Sequence, residues 1–475
     1  MGDNVEFDTE IDVLVIGAGG CGLVAALAAA ERGATVAVVE KAPRLQGNTA
    51  LSSGSVPGAG SRFQRAAGIA DSPARYAADL RRIAGPHDAD ALVDRLAGIS
   101  AELVEWLVDS AGVAMTLVET YRHVGHGVPR LHAPPARRGA DLVADLERAV
   151  AARDIPLALG QEARALITRD GAVRGALTVD AEGREARIGA GAVILASNGF
   201  AAARDLVAAH CPQAARARYA GAPGSTGEAL RWGTALGAAT GNLGAYQAHA
   251  GLAEPSGALV TWTVVERGGF IVDGNGARFA DETLGYSAFA APALAAAPPL
   301  HMIYDARIAD DVAAGQPEFA ELAAAGGALA ADDAAALAAR IGVPAETFAA
   351  TCRAAADAAE GGATDTFGRR QWGLGALRPA LRATRIAPAL FHTQGGLMVD
   401  GDARVLARDG TWIRGLYAGG GAAVGISGLS GGTGYVSGNG LLAALGLGYL
   451  AGRAAGRQAG AEAGDAPATE LQTQS

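Results

Sequence analysis

The residues with the clearest chemical potential stand near the start of the chain. Gly17-Ala18-Gly19-Gly20-Cys21-Gly22 is a Gly-x-Gly-x-x-Gly cluster, and Glu40 follows 23 residues after Gly17. Glycines at this spacing allow a tight turn at Gly17, close approach of backbone N–H groups to a pyrophosphate at Gly19 and Gly20, and close helix packing at Gly22. An acid placed like Glu40 accepts hydrogen bonds from a ribose diol and repels a 2′-phosphate. The motif therefore predicts a dinucleotide site, and by itself leaves NAD and FAD open. A second cluster, Tyr121, His123, His126 and His132, carries no accompanying carboxylate or thiol. It reads as a pocket-lining loop rather than a metal site. Arg137-Arg138 reads as a solvated pair rather than an anion clamp.

These groups need elements to hold them. Ile11–Ile16 is an apolar run ending at the glycines and reads as a buried parallel strand. The breaker-free, Ala/Leu-rich run from Gly22 to Arg32 reads as a helix, and Thr35–Glu40 as a second strand, which completes a βαβ unit. Ser72 and Pro73 open the first of two helices that run to Ser110. Leu142–Ala151 is another helix. Two strands flank the turn Asp170-Gly171, and Ala192–Ala196 is a further buried strand running into Ser197-Asn198-Gly199-Phe200. Gly269–Phe279 reads as a hairpin about Asn275-Gly276. Helices rich in Ala follow, then strand-and-glycine texture returns after Pro388. Ala459–Ser475 is polar and expected to fray. The fold class expected is α/β: a Rossmann-like dinucleotide-binding domain (1–240 and 376–475), interrupted by an α+β capping domain (241–375).

Composition narrows the chemistry. The 475-residue chain holds 68 glycines and only 3 cysteines. Cys21, Cys211 and Cys352 form no Cys-x-x-Cys, which argues against iron–sulfur clusters, covalent haem and structural zinc. A net charge of -10 argues against nucleic acid as a partner. Ile11–Ala30 is long enough to span a bilayer, but its glycines and acidic flank speak against a membrane helix. Gly440–Gly452 is too short and too glycine-rich to span. Met1–Glu10 has neither a basic segment nor twin arginines, so the protein is expected to be cytoplasmic.

Several segments together resemble the superfamily of fumarate reductase and succinate dehydrogenase flavoproteins and 3-ketosteroid dehydrogenases. They are Gly17–Glu40, Gly47-Asn48-Thr49 with Ser52-Ser53-Gly54, Ser197–Phe200, Ser225-Thr226-Gly227-Glu228, Thr393–Asp400 and Gly415–Gly420. The resemblance covers nearly the whole chain and implies FAD in a glutathione-reductase-like domain. It implies contacts from Gly17, Gly19, Gly20, Gly22, Glu40, Lys41, Gly47, Asn48, Thr49, Ser52, Ser53, Gly54, Ala163, Ser197, Asn198, Gly199, Thr226, Glu228, Gly420, Gly438, Asn439 and Leu441. Covalent members carry a His in the loop after the second strand. This chain has Asn48-Thr49-Ala50, so FAD is expected to be non-covalent. Many members have a Glu where this chain has Gly421.

On the substrate side, the fumarate reductase pattern places an Arg acid four residues after the Glu of Arg-Phe-x-x-Glu. Here Arg278-Phe279-Ala280-Asp281-Glu282 is followed at that spacing by Tyr286. A second Arg, before Leu-Gly-Gly-Asn, is replaced by Tyr435. Arg forks suit carboxylates, whereas a phenol suits a ketone or enolate oxygen. Gly434-Tyr435-Val436-Ser437-Gly438 resembles a stretch of the Δ4-type 3-ketosteroid dehydrogenases. That resemblance implies a carbonyl-binding Tyr435 and Ser437 and an α-proton-accepting Tyr286. Both tyrosines can equally be read as buried side chains bonded to backbone. His249 and His392 match substrate-side histidines of fumarate reductases, and either can be a satisfied buried His. Tyr121 is a candidate pocket residue. The implied reaction is FAD-dependent α,β-desaturation of a cyclic or steroid-like ketone, with electrons leaving to a quinone, carrier protein or O₂. Enoate reduction of the fumarate type, and dehydrogenation of a small alicyclic oxo-acid whose carboxylate His249 holds, stay open.

Overall fold

A computed structural model describes residues 6–119 and 123–464. Thr9–Ile16 lies at the centre of an eight-stranded sheet. It pairs in parallel with Val36–Glu40 on one side and Glu185–Leu195 on the other. Trp412–Ala418 and Leu157–Leu159 extend the parallel set outward. Val13, Leu14 and Val15 are fully buried, as expected for a strand covered on both faces. Glu162–Arg169 and Ala172–Val179 form the antiparallel pair about Asp170-Gly171, joined to Glu185–Leu195.

The first helix runs Gly20–Ala30, two residues earlier than the glycine pattern suggests, because Gly19 serves as its N-cap. It packs against a 26-residue C-terminal helix, Asn439–Gly464. A Cβ at Gly448 or Gly452 would lie 2.4 or 2.2 Å from the carbonyl oxygen of Cys21 or Ala25. Glycines four apart thus form a seam that lets two helix backbones approach closely. In sequence this stretch reads only as a glycine-rich run, with fraying expected from Ala459. The helix continues to Gly464. No helix among the described residues is long and apolar enough to cross a membrane.

Pro73–Ala84 and Asp90–Asp109 are the two expected helices, and the Ser72 hydroxyl accepts the Arg75 N–H at 3.2 Å. Gly139–Ala151 contains the next. The second sheet has seven strands. Its spine is Gly244–Ala253 against Leu381–Thr393, antiparallel, with Gln247 opposite His392 and His249 opposite Ala389. Arg218–Tyr219 joins the same sheet, so its strands extend on both sides of 241–375. The hairpin expected over Gly269–Phe279 differs. The turn forms, with the Gly276 N–H on the Asp273 carbonyl at 2.9 Å. Phe270–Val272 instead pairs with Leu300–Asp305, a fully buried strand. Arg278, on the returning arm, is drawn into a buried ion cluster with Glu282 and Asp365.

Candidate active site

The dinucleotide cleft is built where the first strand ends. Gly17 has φ +106°, and a Cβ there would meet the Ala196 carbonyl oxygen at 2.5 Å. A Cβ at Gly22 would sit 1.8 Å from the Gly17 oxygen, so only glycine lets the helix start this close to the turn. At Gly19 the Cβ position is open. The unpaired N–H groups of the helix's first turn suit an anion there. Glu40 does more than wait for a ligand: its carboxylate accepts the Ala18 N–H at 2.8 Å and the Ala42 N–H at 2.9 Å. It locks the glycine turn and retains acceptor capacity for a hydroxyl.

Gly17, Gly19, Gly20, Glu40, Lys41, Gly47, Asn48, Thr49, Ser52, Ser53, Ala163, Ser197, Asn198, Glu228, Gly420, Gly438 and Leu441 line one cleft. Lys41 donates to Glu228 at 2.6 Å and to Thr226 at 2.8 Å. Asn48 bridges the Ala222 N–H (2.6 Å) and the Phe391 carbonyl (3.5 Å). An amide in this place offers no nucleophile for a covalent flavin bond. Among the described residues, the buried Ser197 Oγ and one carboxylate oxygen of Glu228 at the cleft have no partner within the protein. Buried polar atoms left this way need a partner, and the hydroxyls of a bound dinucleotide would supply it. The cleft therefore fits FAD.

Five other candidates from the sequence stand behind the cleft wall. Gly22 serves helix packing. Gly54 and Gly199 allow close approach of Pro134 and Thr393, whose nearest atoms would stand 2.9 and 2.3 Å from a Cβ at those positions. Thr226 supports Lys41. Asn439 is fully buried, accepts from the Tyr76 hydroxyl at 3.4 Å and donates to Ser427 at 3.3 Å. Gly421 borders the cleft, and a Cβ there would lie 2.5 Å from Asn198 Oδ1. The loop is closed too tightly for the Glu that other members carry.

The same cleft continues to Tyr286, Tyr435, Ser437, His249 and His392. The Ala250 N–H donates to the Tyr286 carbonyl and the Ala248 N–H to the Ser287 hydroxyl, each at 3.1 Å. These bonds press Tyr286 onto His249, whose ring stacks on it with centroids 4.9 Å apart. Tyr286 Oη lies 3.3 Å from Ser437 Oγ. Tyr435 meets the Tyr286 ring edge-on, and the His392 ring likewise, at 5.9 Å each. Burial pushes the Tyr435 phenol up to about 12, partly offset by a hydrogen bond from the Gly440 N–H. Burial pushes His249 down to about 3 and His392 down to about 4. The Gly251 N–H donates to His249 Nδ1 at 3.0 Å, which leaves Nε2 to carry the proton of a neutral ring. His249 is thus a hydrogen-bond donor and a poor counter-ion for a carboxylate.

Tyr121 lies outside the described residues. Of the cluster's histidines, His123 lines the cleft, His126 Nε2 bonds the Ser437 carbonyl at 2.7 Å, and His132, in the strand Leu131–Ala133 rather than a pocket loop, bonds Ser61 Oγ through Nε2 at 2.8 Å. Among the described residues no group of three His, Cys, Asp or Glu is placed to hold a metal ion. The Arg137-Arg138 reading needs correction. Arg138 is exposed and pairs with Asp141, but Arg137, at φ +53°, turns into the lining of the cleft. Gln247, of the Gln-x-His stretch that ends at His249, lines the cleft too, while other lining residues carry no signal in the sequence, among them Gln161, Trp232, Trp262, Thr263 and Gln316. They come from stretches without motif character, Trp232 from the helix Glu228–Ala235 and Thr263 from the start of the helix Thr263–Glu266, so only the fold reveals them.

A parallel sheet with a glycine-turned helix N-terminus and a long cleft beneath a second sheet defines a dinucleotide-binding flavoprotein. Residues 12–441 match the family described as FAD binding domain, and the chain belongs to it. The chain is 29% identical over 434 residues to the NADH:fumarate oxidoreductase of Klebsiella pneumoniae (strain 342), covering 90% of this chain and 46% of that protein. It thus spans about half the length of that relative. A solved flavocytochrome c3 fumarate reductase in an open conformation superposes with TM-score 0.80 at 27% identity, covering 95% of this chain and 79% of that one. A 3-ketosteroid-Δ4-(5α)-dehydrogenase from Rhodococcus jostii RHA1, solved with 4-androstene-3,17-dione, shares the fold with TM-score 0.76 at 23% identity. That match covers 96% of this chain and 98% of the other.

Proposed function

We propose that this flavoprotein introduces a double bond next to the carbonyl of a cyclic ketone. The observation that carries the reading is the uncharged set formed by Tyr286, Ser437 and Tyr435, with phenol and hydroxyl 3.3 Å apart and both histidines held neutral. A dicarboxylate would require cations where this chain has Tyr286 and Tyr435. When bound, FAD supplies the two-electron acceptor for the substrate's β-hydrogen. Tyr435, its oxygen taking the Gly440 N–H, offers its own O–H to the carbonyl and stabilises the enolate. Tyr286 receives the α-proton as it hands its own phenol proton to Ser437 Oγ, 3.3 Å away, whose hydroxyl proton moves on to solvent in the same relay. The walls formed by Trp262, Phe391 and Val124 exclude water from that transfer. Electrons then pass to an external acceptor, a quinone, a carrier protein or O₂.

The position of Arg137 favours a second, narrower reading, a ring ketone bearing a carboxylate. Neutral His249 is not the group that would hold that carboxylate. Arg137, a cation in the same cleft, is better suited. The test is an anaerobic screen in which saturated cyclic ketones, with and without a ring carboxylate, are mixed with the yellow protein. Bleaching near ~450 nm supports the proposal. Reoxidation of reduced protein by fumarate alone, with no bleaching by any ketone, would assign the fumarate-type reaction instead.

A further inference from the structure

The substrate-side residues rest on a buried ionic assembly that the mechanism above leaves unused. Arg130 is fully buried, 0% exposed. Its Nε and Nη2 donate to the two oxygens of Asp71 at 2.8 and 3.0 Å, and its Nη1 donates to Asp79 at 2.8 Å. Asp71 also accepts from Gln64 at 3.0 Å, and Asp79 from the Gly127 N–H at 2.7 Å and Arg82 at 3.2 Å. Burial alone would raise both carboxyls, and these bonds outweigh it, so both stay below the usual range. A buried guanidinium needs this degree of satisfaction.

The assembly ends on one imidazole. Arg130 Nη1 lies 3.2 Å from His126 Nδ1. A guanidinium only donates, so Nδ1 is bare and Nε2 carries the hydrogen. That Nε2–H donates to the Ser437 carbonyl at 2.7 Å. The other side of Ser437 is held as well, its N–H bonded to the Val124 carbonyl at 3.2 Å. His126 is packed in place by Tyr76, stacked at 5.7 Å, and the Arg130 guanidinium lies over the same Tyr76 ring, 4.5 Å from its centroid. Ser437 is the residue whose hydroxyl meets Tyr286.

We propose that His126, its tautomer set by Arg130 between Asp71 and Asp79, is a positioning residue that aims the Ser437 hydroxyl at Tyr286. The inference rests on the reading of Tyr286 and Ser437 as the proton-handling pair. A charge pair on Arg130 fixes which ring nitrogen donates, the donor fixes the Ser437 peptide, and the peptide fixes the hydroxyl. Freed of this bond, Ser437 would lose one of two backbone anchors and the Tyr286 contact would loosen.

A double-mutant cycle on the FAD-loaded protein tests it, with single-turnover flavin reduction by a ketone as readout. His126→Phe keeps a ring against Tyr76 but removes the donor. We expect the limiting rate of flavin reduction to fall about 10-fold or more with the half-saturating ketone concentration within about 2-fold, since a misaligned proton path acts on the chemical step. In a Ser437→Ala background the same change should cost less than about 2-fold, because coupled residues are not additive. His126→Gln, whose amide reaches the Nε2 position, should recover activity to within about 3-fold of wild type, and His126→Asn, which is shorter, should not. A full 10-fold loss in the Ser437→Ala background, or equal loss in Gln and Asn variants, overturns the proposal. If His126→Phe does not bind FAD, the Gln and Asn pair decides alone. If no ketone bleaches the wild type, the functional reading fails, and the cycle is run on reoxidation of reduced protein by fumarate.

Discussion

Replacing Tyr435 by Phe tests the enolate-stabilising step most directly. The ring is half-buried and wedged edge-on between Tyr286 and His392, at 5.9 Å from each, so Phe preserves the packing. What disappears is one hydroxyl. In the wild type that oxygen takes the Gly440 N–H, at the start of the helix Asn439–Gly464, and its own hydrogen is left for the substrate. Removing one preorganised donor at a developing oxyanion costs about 2.7–4 kcal/mol, or roughly 10²–10³ in rate. Most of this loss should appear in the limiting rate of flavin reduction and little in KM, because the ground-state carbonyl is a weaker acceptor than the enolate. The phenol is pushed up to about 12, so it stays protonated from about pH 6.5 to 10 and the wild-type to mutant ratio should be constant there. Above that window the wild type should lose its advantage, as phenolate cannot donate. The assay is anaerobic stopped-flow at the flavin band with a saturated ketone. A flavin-loaded Tyr435→Phe protein reducing within about threefold of wild type would refute the enolate role.

Tyr286→Phe should slow flavin reduction by about 100-fold or more while the flavin band and FAD content remain, and full activity would remove Tyr286 from the proton path. Gly421→Glu, which installs the side chain other members carry, should weaken FAD binding. Its Cβ would lie 2.5 Å from Asn198 Oδ1 and 2.6 Å from the Gly199 nitrogen. Relief of such contacts costs about 1–3 kcal/mol, so a fluorescence titration of apoprotein with FAD should show roughly 5- to 150-fold weaker affinity. Acid should unfold the protein early. Burial holds His126, His132 and His392 at about 4 and His249 at about 3, below the value they take when unfolded. The unfolded chain therefore binds more protons below about pH 6.5, and stability falls as pH drops toward about 4. At about pH 5 each such ring costs on the order of 2 kcal/mol. Circular dichroism and flavin release should show a cooperative transition near pH ~5, and a protein stable down to pH ~4 would contradict the buried neutral histidines.

What the sequence makes legible is local. Gly17, Gly22 and Glu40 act within about 25 residues of one another, and each needs its residue type for a reason visible at its own backbone. The same holds for Ser72 as a cap and Asp170-Gly171 as a turn. What escapes is set by partners far along the chain. The arm after Asn275-Gly276 reads as half of a hairpin, yet Phe270–Val272 finds a more buried partner in Leu300–Asp305. The glycines of the last helix read only as a run too short and too glycine-rich to span a bilayer, yet Gly448 and Gly452 face the Cys21 and Ala25 carbonyls. The segment from His123 to Arg138 shows the limit best. In sequence, its histidines and arginines are alike in kind, and nothing nearby sorts them. Arg130 becomes structural because Asp71 and Asp79 are brought to it, Arg138 stays in solvent with Asp141, and Arg137 turns into the cleft. The charge of the substrate site depends on that sorting. A tyrosine-lined site with every arginine elsewhere would suit neutral ketones alone, whereas an arginine in the same cleft would admit a ring ketone that also carries a carboxylate. On the proposed reading, whether a substrate carries a carboxylate would thus depend on the tertiary packing of this segment, and the Tyr-for-Arg exchanges at 286 and 435 would bear only on the half of the substrate that reacts.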